Sequence, residues 1–261
     1  MKTITKRTLA AAVAVMMAVL TGCSSNGSSD NTEVTSAADT AVTEAAAAEN
    51  TWDELDQTAI TAAMGMGWNL GNQLEASSNK VPNETAWGNP TITEDLIKAV
   101  KAQGFNTIRI PVSYLSKIGD APDYTIDSAW LDRVQEVVDY AVSNNMHIIL
   151  NIHHDNELKD GKVLGFYPEK QYLEQSLKYV EDIWTQIADR FKDYNENLVF
   201  ESLNEPRLIG SAYEWNFNST ATECIEAQEC INAMNQKFVD VVRASGGNNA
   251  NRYLMVPAYC A

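Results

Sequence analysis

The chain has 261 residues, 45% of them apolar, and a formal charge of −16. So acidic a chain suits neither nucleic acid nor an anionic membrane surface as a partner, whereas a neutral substrate is compatible with it. Of the four cysteines, Cys224 and Cys230 lie six apart in a helical pattern, about 240° around the axis, which is poor disulfide geometry; no disulfide framework and no zinc site are expected.

The N terminus carries Lys2, Lys6 and Arg7, an apolar run from Leu9 to Leu20, and then Thr21-Gly22-Cys23. A basic start, a short apolar core and small residues describe a secretory signal peptide over residues 1–22. Leu20-Thr-Gly-Cys23 resembles the lipobox of bacterial lipoproteins, in which the Cys becomes the lipidated first residue; ordinary cleavage with Cys23 a bystander is the competing reading. Residues 23–50 are Ser, Thr, Ala, Asn, Asp and Glu almost throughout, with no aromatic or basic residue. Such a segment reads as a disordered tether.

Residues 51–261 alternate short apolar runs with helical patterns. The runs lie around Met66–Leu70, at Thr107–Ile110, at His147–Ile152, at Leu198–Glu205 and at Tyr253–Val256. Pro206 should stop the fourth strand just after Glu205, because proline cannot donate to a ladder and biases its predecessor toward extended geometry. Between the runs, Thr91-x-x-Glu94 reads as a capping box with Gly104 as the stop. Helical spacing continues in Leu131, Val134, Val138 and Ala141, in Leu173, Leu177, Val180, Ile183, Ile187 and Phe191, and in Ile231, Met234, Phe238, Val241 and Val242.

Strand and helix in alternation call for a parallel sheet with right-handed crossovers, either open and doubly wound or closed as a (β/α)8 TIM barrel. Gly65-Met-Gly-Trp-Asn-Leu-Gly71 puts Trp68 and Asn69 where a pyrophosphate turn would be, which removes the main argument for a dinucleotide fold. Polar residues gather where strands end: Asn69 and Asn72, Arg109, His153 and His154, Asn204 and Glu205. That distribution is the barrel pattern. Only about five of a barrel's eight strands are counted, so the chain is expected to be the N-terminal part of a catalytic barrel.

Taken together, Gly67-Trp-Asn-Leu-Gly-Asn-Gln-Leu-Glu75, Glu84-Thr-Ala-Trp-Gly-Asn-Pro90, Gly104-Phe-Asn-Thr-Ile-Arg-Ile-Pro-Val-Ser113, Leu150-Asn-Ile-His-His-Asp155 and Phe200-Glu-Ser-Leu-Asn-Glu-Pro206 resemble the family 5 glycoside hydrolases of clan A, cellulase branch. The resemblance implies an exported endo-β-1,4-glucanase acting on cellulose or β-glucan with retention, needing no cofactor, and monomeric when full length. A mannanase or xyloglucanase of the same fold is the near alternative. A non-catalytic carbohydrate-binding lipoprotein is the distant one.

The same resemblance makes Glu205 the general acid/base and gives Asn204 the sugar 2-hydroxyl. Arg109 would pair with the nucleophilic carboxylate, and neutralising Glu201 is a second role compatible with the first. His153 would bind substrate hydroxyls or orient carboxylates, and His154 joins it among the substrate-binding residues. Trp87 is the best sugar platform among Trp68, Trp87 and Trp130, and Asn72 and Glu75 are placed to line the cleft. His153-His154-Asp155 is not read as a metal site, because neighbouring strand residues face opposite sides. The family takes its nucleophilic Glu from a seventh strand. Asp155, Glu157 and Glu201 are the nearest substitutes here, nothing marks any of them, and the chain as given is expected to be inactive and poorly stable.

Overall fold

The computed structural model describes residues 54–261. The expected signal peptide, lipidated Cys23 and tether lie outside the described residues. Helix α1 (Gln57–Met64) opens the described chain, with Asp56 capping it by accepting from the Ala59 N–H at 2.7 Å. Then follow β1 (Gly67–Asn69), the hairpin β2 (Ser77–Ser78) and β3 (Val81–Pro82), α2 (Glu94–Ala102), β4 (Thr107–Ile110) and α3 (Ser128–Ser143). The second half runs β5 (His147–Asn151), the hairpin β6 (Leu158–Lys159) and β7 (Lys162–Val163), α4 (Leu173–Phe191), β8 (Leu198–Glu201), α5 (Thr222–Ala244) and β9 (Leu254–Met255).

The five longer-range strands form one sheet in the order β1-β4-β5-β8-β9, parallel throughout. Sequential parallel neighbours, each of the four crossovers carrying a helix (α2 to α5), are the repeated β/α unit of a barrel wall. The register sets the faces. Ile108, Ile110, Ile148, Leu150, Leu198 and Phe200 point to the helices and are fully shielded there in one apolar cluster. Thr107, Ile149 and Val199, of the other parity, line a cavity of about 800 Å³ on the inner side.

Two local expectations change. Helix α2 is capped by Thr93, whose hydroxyl accepts from Leu96 N–H at 3.3 Å, and not by Thr91. Thr93 is extended, with φ −127° and ψ 157°, as a cap must be, and it directly precedes the acidic first turn of Glu94 and Asp95. Strand β8 ends at Glu201 and not at Glu205. One further ladder contact, from the Ser202 N–H to the Met255 carbonyl at 3.0 Å, carries the chain past it, and the backbone then turns well before Pro206 acts.

Candidate active site

The C-terminal ends of β1, β4 and β8 meet over the inner face of the sheet. Arg109 stands on β4 at an inward position, aligned through Ile149 with Val199, so Glu201 lies one inward step nearer the strand ends. The guanidinium grips Glu201 with two prongs, Nε to Oε2 at 2.7 Å and Nη2 to Oε1 at 2.6 Å. Nη2 also donates to Asn204 Oδ1 at 2.8 Å, and Nη1 to Asn69 Oδ1 at 3.3 Å. Among the described residues the carboxylate partner of Arg109 is therefore Glu201, the second of the two compatible roles above. Two largely buried opposite charges this close stabilise one another, and neither could lose its partner without a cost of several kcal/mol, roughly 3 to 5. The network also orients Asn204. With Oδ1 engaged by Arg109, its Nδ2 donors remain available to a hydroxyl.

Glu205 follows Asn204 on the loop beyond β8, with φ 44°. This is left-handed backbone, uncommon outside glycine and found where surrounding structure enforces it. Its side chain is 44% exposed and lies 3.4 Å from Arg207 Nη1. The carboxyl is not buried, because the residue sits in the loop beyond β8 and not on the strand end.

A cleft of about 320 Å³ opens alongside, lined among others by Glu75, Trp87, His153, His154, Asn204 and Arg207. Trp87 is half exposed, its indole N–H tied to the Ser77 carbonyl at 3.0 Å and its ring 5.9 Å from that of His154. A fixed ring with an open face is what stacking on a sugar requires. Trp130 is instead a core residue, its N–H donating to the Ser113 carbonyl at 3.1 Å, and Trp68 packs against the main core. Asn72 is exposed and is not among the residues lining the cleft. It sits in left-handed backbone, its N–H bound to Glu75 Oε1, so the first loop turns its side chain's neighbour, Glu75, to the cleft instead.

His153 and His154 lie past the end of β5, free of strand alternation. Their rings stand edge to face with centroids 4.5 Å apart, so the expectation of opposite faces does not hold. Among the described residues no group of three or more His, Cys, Asp and Glu is disposed to hold a metal ion. Burial, reinforced by the charges of His154 and Arg109, drives His153 down to about 2. Burial also lowers His154, against the opposing pull of Glu75 and Glu205. Both imidazoles are neutral at physiological pH and act as hydrogen-bonding groups. Asn151 Nδ2 lies 3.2 Å from His153 Nδ1 and fixes that ring.

The three substitute carboxylates are each engaged. Asp155 is fully buried and accepts from the Tyr114 and Leu115 N–H groups at 3.0 to 3.2 Å and from the Tyr179 hydroxyl at 2.6 Å. Glu157 pairs with Lys80 at 2.9 Å, and Glu201 with Arg109. Glu75 accepts from the Asn72 and Gln73 N–H groups. Sequence reasoning passes over two residues that the structure brings to this site. Lys80 reaches the cleft rim from the tip of the β2–β3 hairpin, and Arg207 follows directly on the Asn-Glu-Pro motif, its position being the one signal that could have marked it.

Residues 71–261 match the model of the cellulase family, glycosyl hydrolase family 5. The chain is 50% identical over 201 residues to endoglucanase A of Paenibacillus barcinonensis, covering 77% of this chain and 48% of that protein. It is 43% identical over 202 residues to endoglucanase B of Clostridium cellulovorans, covering 77% and 42%. Among solved structures, a mutant family 5 lichenase from Caldicellulosiruptor sp. F32 in complex with cellotetraose aligns with a TM-score of 0.73 at 47% identity, over 80% of this chain and 56% of that one. A family 5 xyloglucanase from Paenibacillus pabuli aligns at 0.69 and 48% identity, over 77% and 53%. The chain spans about half the length of the curated relatives it matches. The five strands are those of a (β/α)8 barrel.

Proposed function

The chain belongs to glycosyl hydrolase family 5, the cellulase family, and on that premise we propose that it cleaves internal β-1,4-glycosidic bonds of cellulose or a related β-glucan with retention of configuration. The observation that carries this reading is the strand-end network of Arg109, Glu201 and Asn204 beside a cleft faced by Trp87, with Glu205 next to Asn204 on the same loop.

In this reading Glu205 gives its proton to the glycosidic oxygen as the bond from that oxygen to C1 breaks, while a second carboxylate bonds to C1. Water then gives a proton back to Glu205 as its oxygen displaces that carboxylate. Asn204, held through Oδ1 by Arg109, donates to the sugar 2-hydroxyl, where the bond strengthens as positive charge develops on the ring. Trp87 supplies the stacking surface, and the neutral His153 and His154 bind hydroxyls.

Retention calls for a second carboxylate about 5 to 5.5 Å from the first. Asp155, Glu157 and Glu201 are committed to partners of their own, which supports a nucleophile drawn from another strand, as the family resemblance implies. The lichenase and xyloglucanase among the structural neighbours support a second reading of the substrate, a mixed-linkage or xylose-bearing glucan.

The test is reducing-sugar release from a soluble mixed-linkage β-glucan by the protein as its gene encodes it, with and without Glu205→Gln. Loss of general acid/base help should lower kcat by on the order of 10² to 10⁴. A Gln variant that keeps its turnover removes Glu205 from the role. A variant with no turnover but undiminished binding separates an enzyme from a binding lipoprotein, which would show no turnover in either form. Retention is read from the anomer released first.

A further inference from the structure

We infer that Arg207, stacked against the indole of Trp215, is the positioning residue of the Glu205 carboxyl: it holds that residue's left-handed backbone and keeps a fixed cation beside its side chain. The inference rests on the assignment of Glu205 as acid/base made above.

Glu205 has two reasons not to adopt φ 44° unaided. Its Cβ crowds the following carbonyl there, and the proline that follows narrows its backbone choices further. On its amide side the Glu205 N–H donates to the Ala261 carbonyl at 3.2 Å, and on its carbonyl side the restraint comes from Arg207. One nitrogen, Nη1, donates to the Glu205 carbonyl at 2.9 Å and reaches Glu205 Oε2 at 3.4 Å. Backbone and carboxylate are thus held from a single point.

That point is itself anchored on three sides. Nε donates to Glu214 Oε1 at 3.3 Å, and Glu214 Oε2 accepts from the Gly210 N–H at 2.8 Å. The Arg207 carbonyl accepts from Asn156 Nδ2 at 2.8 Å, tying the loop to the segment after β5. The guanidinium carbon lies 4.0 Å from the centre of the Trp215 ring. Trp215 is 61% exposed, a large apolar cost at a surface, while the arginine side chain beneath it is only 16% exposed. An indole spent on covering a cation is explained if that cation has to stay put and partly dry.

The charged and titratable groups facing Glu205 are few. Arg207 and, behind it, Glu214 come from its own loop, His154 comes from the loop after β5, and Tyr259 and Cys260 come from the segment whose Ala261 carbonyl accepts from the Glu205 N–H. Burial keeps His154 below its ordinary value, so the imidazole is neutral at neutral pH and Arg207 is the standing positive charge. A cation at this distance favours the ionised carboxyl. It therefore stabilises the carboxylate that remains once the proton has passed to the leaving oxygen.

The experiment compares wild type, Arg207→Met, Trp215→Ala and Glu205→Gln in the protein as its gene encodes it. Two substrates are used, soluble β-glucan and 2,4-dinitrophenyl β-cellobioside, whose leaving group departs without a proton. For Arg207→Met, kcat/KM on β-glucan should fall about tenfold or more, while kcat/KM on the aryl cellobioside stays within about twofold. Trp215→Ala should show the same split to a smaller extent, and it carries the test alone if Arg207→Met does not fold. Equal losses on both substrates would reduce Arg207 to a structural part and overturn the inference, as would no change on either. If Glu205→Gln itself turns over β-glucan normally, the assignment of the acid/base is what fails. If that variant is dead and the others lose equally on both substrates or on neither, only the present inference fails.

Discussion

Residue by residue, burial decides what each carboxylate near the cleft can do. Asp155 stands next to two cleft histidines in the sequence, yet its carboxyl is turned inward to the backbone of Tyr114 and Leu115 and the hydroxyl of Tyr179. Burial raises it to about 6, and those three hydrogen bonds only partly offset the rise. An unfolded aspartate titrates near about 3.9, so between roughly pH 4 and 6 the folded state holds a proton that the unfolded state has released. The stability this gives is full below about pH 4 and is lost as the pH rises through about 6, an effect bounded at roughly 3 kcal/mol. His153 has the opposite sign. Held near 2, it refuses a proton that the unfolded imidazole accepts below about pH 6.5, so its contribution is lost as the pH falls. The two slopes oppose each other, and Asp155→Asn should expose the histidine slope. Denaturant unfolding at pH 4, 5, 6 and 7 should show the variant losing more stability on acidification than the parent. Parallel curves would take the proton away from Asp155. The motif order in the sequence was enough to pick out Glu205, Asn204, Arg109 and Trp87, since each rides on a strand end or its loop. It did not decide that Arg109 reaches Glu201, because that contact depends on the register of β4 against β8 through β5.

Among the elements, the sheet order and the four long helices were legible because each carries a hydrophobic period of its own. The small elements were not, although one had a signal. Asp160-Gly161 closes the β6–β7 hairpin with φ 50° and 74°, the two positive values that such a two-residue turn needs. Asn79-Lys80 does the same for β2–β3, with a lysine where glycine is usual, and so carries Lys80 to the cleft rim. Arg252 was wholly illegible. It is fully buried and donates to the carbonyls of Phe191, Tyr194, Asn195 and Leu198, closing the end of α4 onto the start of β8. Nothing about a lone arginine after a glycine-rich turn announces that four carbonyls await it. The cap of α2 gives a direct comparison between sequence pattern and observed geometry. Thr91-x-x-Glu94 fits the capping-box spacing, but the hydroxyl that meets a helix N–H is that of Thr93. Thr93→Ala should cost about 1 kcal/mol in unfolding free energy, and Thr91→Ala less than about 0.5. Equal costs measured from denaturant midpoints, or a larger one for Thr91, would return the cap to the earlier residue.

At the scale of the whole molecule, the described sheet has two edges, β1 and β9, and its inner face lines a large cavity beside exposed Met66, Met255 and Val256. Where such a protein acts then depends on what precedes the catalytic region. We propose that residues 1–22 direct export and that Cys23 is lipidated, so that an acidic tether holds the barrel away from the envelope. The support is compositional: a basic start, an apolar run too short to span a bilayer comfortably, and a cysteine placed directly after small residues. A single acyl chain gives only marginal membrane binding, whereas two or more together anchor a protein stably. The protein as its gene encodes it should therefore stay with the membrane pellet through a high-salt wash, because the attachment is not electrostatic. Cys23→Ser should release it into the soluble exported fraction with its β-glucanase activity per molecule unchanged, since the cysteine lies far upstream in sequence from every residue of the cleft. A wild-type protein found soluble after export, or a serine variant that stays in the pellet, would leave Cys23 a bystander and the apolar run an ordinary cleaved leader.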